Sequence, residues 1–228
     1  MPHFTTEVSA RDLLRFPFFA LLNDDALAVL ARAAYRRSYR SGALLVDGTE
    51  AGYSYIVLGR GGVRFFRGAQ TGREITLGAA RVGEPVDLYG TGEAGRPRGH
   101  AEATAHHTVV FVYHFPREHF LRIVTEHPPA NSALLALQAR QLAAAHDLVE
   151  ELALYPANAR LAHALAALGR EREDGVVSLT QEQLAARIGA RQADVSRALS
   201  RFHKLTYTAR LPGRRGIVVN DPERLAAL

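Results

Sequence analysis

The sequence predicts an α+β chain: an N-terminal jelly roll, a long helix, and a C-terminal module of short helices closed by a hairpin. Three observations carry that prediction. Glycines punctuate short apolar stretches from Ser41 to Tyr113, the pattern of a sandwich or roll of short strands. From Ala130 to Leu154 an Ala-, Leu- and Gln-rich run is uninterrupted by Gly or Pro, which is helix by propensity. After Ser178, two short apolar-periodic segments meet at Gly189, and a hairpin pattern rich in arginine follows. The boundaries are then 1–129 for the roll, 130–154 for the long helix and 155–228 for the C-terminal module.

Taken in order, residues from about Arg11 to Tyr35 read as helical, with Leu21, Leu22, Leu27 and Leu30 near helical spacing and Asn23 as a cap. The stretches "ALLV", "YSYIVL", "VRFF", "EITL" and "TVVFVY" read as strands. The gap from Gly78 to His107 is too long for a hairpin turn and reads as a loop that is either functional or disordered. On the long helix, Leu135, Gln138, Leu142, Ala145, Val149 and Leu152 alternate three and four apart, the spacing of an a/d seam. Leu135, Leu142, Val149 and Leu152 are therefore the expected dimer contacts, the alternative being a helix packed on its own domain. Pro156 breaks the helix, and "ANARLAHALAALG" forms another that ends at Gly169 as a C-cap.

Composition bounds the class. An apolar fraction of 47% and a charged fraction of 22% are those of an ordinary globular protein. No run approaches the length of an apolar span, and the start lacks the pattern of a secretory signal, so the expected location is the cytoplasm. With no Cys, disulfides, thiolate nucleophiles and Cys-ligated zinc or iron–sulfur centres are excluded. Residues 154–228 hold 12 Lys and Arg against 7 Asp and Glu, whereas the first 153 residues hold 16 of each. The whole basic excess lies in the C-terminal module, which points to a polyanion partner there.

That module shows what the partner touches. Thr180 and Gln183 form a T-x-x-Q capping box ahead of Leu184, Ala185 and Ile188. In the next helix Val195, Leu199 and Phe202 share one face. The opposite face carries Gln192, Ala193, Ser196, Arg197, Ser200 and Arg201, next to Arg191 at the helix start. It is small, polar or cationic, and such a helix fits a major groove. "YTARLPGRRGIVVN" then reads as two strands around a turn whose Arg214 and Arg215 suit phosphate contact. Helix, turn, helix and basic hairpin together make a winged helix-turn-helix, and its outer face is expected to bind double-stranded DNA. A helical pair packed for structure alone is the alternative; the basic hairpin and the charge partition weigh against it.

On these residues the chain resembles the cyclic-AMP receptor/fumarate-nitrate regulator (CRP/FNR) superfamily of transcription factors. "GYSYIVLGRGGVRFF…TGREITLG" resembles the family's cyclic-nucleotide-binding-like roll, and "LTQEQLAARIGARQADVSRALSRF" its DNA-binding signature. The resemblance implies a homodimer on a palindromic operator, RNA polymerase as a partner, and a small effector in the roll. Two departures matter. The recognition helix has Ala193 where the family commonly carries Glu before its Ser-Arg or Gly-Arg pair, here Ser196-Arg197. Arg197 still offers guanine a bidentate fork, but no carboxylate remains to accept from cytosine.

The effector cassette departs further. Cyclic-nucleotide binders of the family use a Gly-Glu pair followed by an Arg-Ser pair. This chain has Gly83-Glu84 and Arg98-Gly99, with fourteen residues from Glu84 to Arg98, wider than the family's spacing. Restoring that spacing puts Asp87-Leu88 in place of Gly-Glu. The family's Thr-Ser contacts on the long helix fall at Ala145-His146. Glu84, Tyr89, Arg98, Gly99 and His146 are the effector-site candidates, and an effector other than cyclic AMP, or none, is expected. Met1 precedes Pro2, and a prolyl amine ligates haem in the family's carbon-monoxide sensor, with Tyr89 at that sensor's His position. The expectation is nonetheless no cofactor and no metal.

"GTGEAG" (Gly90, Gly92, Gly95) matches G-x-G-x-x-G, but a dinucleotide site needs it between a strand and a helix, and Pro97 and strand pattern follow instead. His106 and His107 are neighbours and would point to opposite faces of a strand. A cupin-like metal enzyme with an accessory DNA-binding module is the alternative function. It needs converging His and Glu ligands that the sequence does not assemble. The expectation is a regulator and not an enzyme.

Overall fold

The computed structural model describes residues 5–46, 54–69, 73–87, 100–104, 109–211 and 216–228. Two compact units emerge, Met1–Phe66 with Gly78–Ala144, and Arg67–Leu77 with Ala145–Leu228.

The first unit opens with β1 (Thr5–Glu7), α1 (Ala10–Leu14), a 3₁₀ turn at Phe19–Leu21 and α2 (Asp24–Ala33). The single helix expected from 11 to 35 is thus broken into three pieces. Pro17 explains the first break: it disfavours helical backbone at Phe16 and has no N–H of its own to donate. Ser9 caps α1 in a reciprocal box with Asp12. Asn23 caps α2 as expected, accepting from the Ala26 N–H at 2.8 Å.

The roll comprises β2 (Tyr35–Tyr39), β3 (Leu44–Val46), β4 (Ser54–Arg60), β5 (Gly62–Gly68), β6 (Glu74–Ala80), β7 (Pro85–Asp87), β8 (His100–Thr104) and β9 (Val110–Pro116). One sheet has the order β1-β2-β9-β4-β7, the other β3-β8-β5-β6. All five strands expected from sequence form. β7 and β8 also form inside the stretch read as one long loop, and Gly90 to Gly95 within it lie outside the described residues. β2 escaped notice because "YRRSY" has no apolar alternation. Its arginines lie over rings instead, Arg36 over Phe111 at 5.4 Å and Arg37 over Tyr35 at 5.2 Å.

β9 is covered on both faces, which is why it reads as a continuous apolar run. Tyr113 and Phe115 join the cluster beneath the helices with Phe19, Tyr55 and Phe120. Val110 and Val112 join the cluster of Tyr39, Ile56, Leu58 and Val63. His114 follows the second set, 4% exposed, with its Nε2 2.9 Å from the Tyr39 hydroxyl and its ring stacked on Tyr35. Burial, helped by the nearby Arg37 charge, lowers its pKa to about 3.

α3 (Arg117–Thr125) leads into α4 (Pro128–Leu154), whose 27 residues span roughly 40 Å. Ala130, Leu134 and Leu137 bury the start of α4, and beyond Leu137 its residues are largely exposed.

In the second unit come α5 (Ala157–Arg170), β10 (Val176–Val177), α6 (Gln181–Ile188), α7 (Gln192–Lys204), β11 (Thr208–Arg210), β12 (Ile217–Val219) and α8 (Pro222–Ala226). The three strands form a sheet in the order β10-β12-β11. Leu161, Leu165, Leu184, Ile188, Val195, Leu199, Phe202 and Leu225 form its core. Gly169 corrects the expectation: it is not the C-cap, since α5 runs on to Arg170 and Glu171 caps it. A Cβ at Gly169 would lie 2.8 Å from the Cβ of Val219, so glycine is needed there for close packing of helix on strand.

Candidate nucleic-acid interface

The helix pair is built by local signals. Thr180 and Gln183 close the capping box, with Gln183 N–H donating to Thr180 Oγ1 at 3.1 Å and Thr180 N–H to Gln183 Oε1 at 2.9 Å. α6 stops at Gly189, which caps it in the left-handed region at φ 63°. The chain then turns through Ala190, and Arg191 caps α7 with extended backbone.

On α7, Val195, Ala198, Leu199 and Phe202 are buried. Gln192, Ala193, Arg197, Ser200 and Arg201 are exposed and Ser196 is half-buried. The structure therefore brings together Arg191, Gln192, Ser196, Arg197, Ser200 and Arg201 along one outer surface. Arg197 is 74% exposed and pairs with Asp194 one turn earlier, at the i, i+3 spacing that lets neighbouring helix side chains meet. Ser200 Oγ donates to the Ser196 carbonyl at 2.9 Å, so its hydroxyl is held back toward the helix. Arg214 and Arg215 lie outside the described residues, between the strands of the wing.

The helix ends are held by contacts no local pattern reveals. At the α6 C-terminus, Arg160 Nε from α5 donates to the Ile188 carbonyl at 2.9 Å, and its Nη1 to the Tyr155 carbonyl at 2.7 Å. Arg73, 116 residues away in sequence, donates from Nη2 to the Gly189 carbonyl at 2.8 Å. At the far end, Thr206 follows α7 with φ 62°, the one non-glycine with positive φ among the described residues. Asn220 Nδ2 donates to its carbonyl at 3.0 Å.

Of the seam residues on α4, Leu135, Leu142 and Val149 stand 58%, 59% and 64% exposed, seven residues apart in one stripe. Leu152 is more covered, and its Cδ2 lies 3.2 Å from where a Cβ on Gly189 would stand. Of the effector candidates, Glu84 is ion-paired to Arg140 at 3.0 Å within the first unit, and His146 is exposed on α4 in the second. Tyr89, Arg98 and Gly99 lie outside the described residues. Among the described residues no three of His, Asp and Glu are grouped to hold a metal ion, and no helix is long and apolar enough to cross a membrane.

A capped helix pair with an exposed polar and cationic second helix, closed by a strand pair, is the arrangement of a winged helix-turn-helix, a DNA-binding module. The comparisons agree. Residues 159–228 match the model of the Crp-like helix-turn-helix domain. The chain is 25% identical over 221 residues to the "CRP-like cAMP-activated global transcriptional regulator" of Mycobacterium tuberculosis, covering 94% of this chain and 96% of that one. Among solved structures it is similar to FixK2 of Bradyrhizobium japonicum, with 25% identity, a TM-score of 0.69, and coverage of 86% of this chain and 96% of that one. A crp/fnr-family regulator of Eubacterium rectale shares the fold at 18% identity, with a TM-score of 0.76 and coverage of 93% and 97%. Residues 159–228 thus carry a Crp-like helix-turn-helix domain, and the chain as a whole is similar to transcription regulators of the CRP/FNR type.

Proposed function

We propose that the chain works as a homodimer on a palindromic DNA site, with α7 of each copy in a major groove and the wing arginines on phosphates. The carrying observation is the exposure of Arg191, Gln192, Arg197 and Arg201 on a helix whose other face is buried core. The exposed Leu135, Leu142 and Val149 stripe supplies the second copy's docking surface, since a seven-residue apolar repeat is what a two-helix seam needs. Two half-sites one helical turn apart, ~34 Å, fit a two-fold dimer. RNA polymerase is the further partner that the resemblance to CRP/FNR regulators implies. The cytoplasm, where the chromosome lies, is the expected place of action.

Control is by a small effector other than cyclic AMP, or the protein is constitutively active. The Mycobacterium tuberculosis relative is described as cAMP-activated, but three features here argue against carrying that property over. Glu84 has Arg140 as an internal partner, Arg98 is followed by Gly99, and the helix hydroxyls are replaced by Ala145 and His146. A charge-assisted hydrogen bond is worth about 1.5–3 kcal/mol, so losing two costs on the order of a hundredfold or more in affinity. The cupin-like enzyme has no support in the matching proteins, which are regulators.

The test has two steps. Duplexes enriched from a random-sequence pool by the full-length protein should be palindromic and should bind two copies. Calorimetric titration with cyclic AMP should then show no binding at micromolar concentration and no tightening on the enriched duplex. Micromolar binding with tighter DNA affinity would overturn the effector reading.

A further inference from the structure

We infer that Arg73 is a positioning residue for DNA recognition: it sets the α6–α7 turn from outside the helix-turn-helix, and this reading rests on α7 being the base-contacting helix. The last carbonyls of an α-helix have no partner within the helix, and they carry the negative end of its dipole. At α6 two successive carbonyls each receive a guanidinium. Ile188 O accepts from Arg160 Nε at 2.9 Å and Gly189 O from Arg73 Nη2 at 2.8 Å. Arg160 belongs to α5, inside the DNA-binding module. Arg73 comes from the segment Arg67–Leu77, which leads into β6 and packs with the C-terminal unit.

The same segment makes a second, apolar contact at the same residue. A Cβ on Gly189 would stand 3.1 Å from Ile75 Cδ1 and 3.2 Å from Leu152 Cδ2. Gly189 is favoured by its left-handed backbone, and Ile75 and Leu152 pack closely against it. Beside this contact, a cavity of about 470 Å³ has Arg73 and Glu74 on one wall and Glu182, Arg191 and Gln192 among its other lining residues. Arg73 thus lines the same cavity as the start of α7.

The consequence is geometric. Two residues separate the carbonyl held by Arg73 from Gln192, the first residue of α7, so the direction of that carbonyl governs how α7 leaves the turn. Base readout by Arg197 needs a bidentate geometry and is sensitive to helix placement. Phosphate contact is tolerant of it. Losing the Arg73 bond should therefore reduce discrimination between sequences more than it reduces affinity for DNA at large.

The experiment uses the full-length protein, the duplex it enriches from a random-sequence pool, and a random duplex of equal length. Arg73→Ala should weaken binding to the enriched duplex roughly 5- to 10-fold. Binding to the random duplex, its salt dependence and the melting temperature should stay as in the parent. Arg73→Lys, which keeps one charged donor, should recover most of the loss. Equal losses on both duplexes with a shallower salt slope would show that Arg73 is itself a phosphate ligand, and unchanged binding to both would also overturn the proposal. Arg197→Ala, measured in parallel, separates the two readings: if it leaves the enriched duplex untouched, the assignment of α7 fails and Arg73 is not at fault.

Discussion

The DNA-binding module and the roll are both small packed cores, but their functional groups are distributed differently. In the module, six candidate DNA contacts fall within the eleven residues from Arg191 to Arg201, and the helix they share arranges them. In the roll, even a single buried hydrogen bond, Tyr39 to His114, joins residues 75 apart. Helical periodicity therefore reveals the first site at once. In the roll, period two says only which face a residue takes, and β9, covered on both faces, withholds even that.

Four experiments break or sharpen this contrast. The largest effect is expected at α4. Leu142→Glu places like charges at the proposed two-fold seam, and sedimentation should show monomers at micromolar concentration. Affinity for the enriched duplex should drop on the order of a hundredfold or more, because two linked half-sites bind far better than one. An intact dimer would move the interface elsewhere.

Arg197→Ala should cost about 1–3 kcal/mol on the enriched duplex and much less on random DNA. Arg215→Ala should instead weaken both alike and lower the salt slope by about one. Gel-shift titrations at two salt concentrations read out each. Identical behaviour of the two variants would erase the distinction between reading and holding.

In the roll, acid stability tests whether His114 is buried as a neutral ring. Its folded pKa is about 3 against the ordinary 6.5, so below 6.5 the unfolded chain binds a proton that the folded chain does not. The stability it contributes is complete above pH 6.5 and is lost as pH falls toward 3. Between pH 7 and pH 5 the loss should be about 2 kcal/mol in urea titrations. His114→Phe should flatten that part of the curve, whatever its effect at neutral pH.

The smallest effect belongs to the turn after α7. Thr206 is β-branched and holds φ 62°, a region that suits glycine. Thr206→Gly should raise stability by about 0.5–1 kcal/mol in thermal melts without changing DNA affinity. A drop in operator affinity would show that the threonine orients the wing.

The sequence by itself determined the order of parts, the capping box at Thr180, the left-handed stop at Gly189, the outer face of α7 and the seven-residue stripe on α4. Each depends on residues within two or three turns of one another, where backbone geometry fixes the spacing. Only the tertiary structure decided the rest. It paired β2 with β9, closed Glu84 with Arg140, gave Gly169 to Val219, and brought Arg73 to the carbonyl of Gly189. Those partners are separated by up to 116 residues, and no periodicity of the chain records which loop will meet which helix end. Packing selects them, because each buried face and each unpartnered carbonyl must find a complement wherever the fold supplies one.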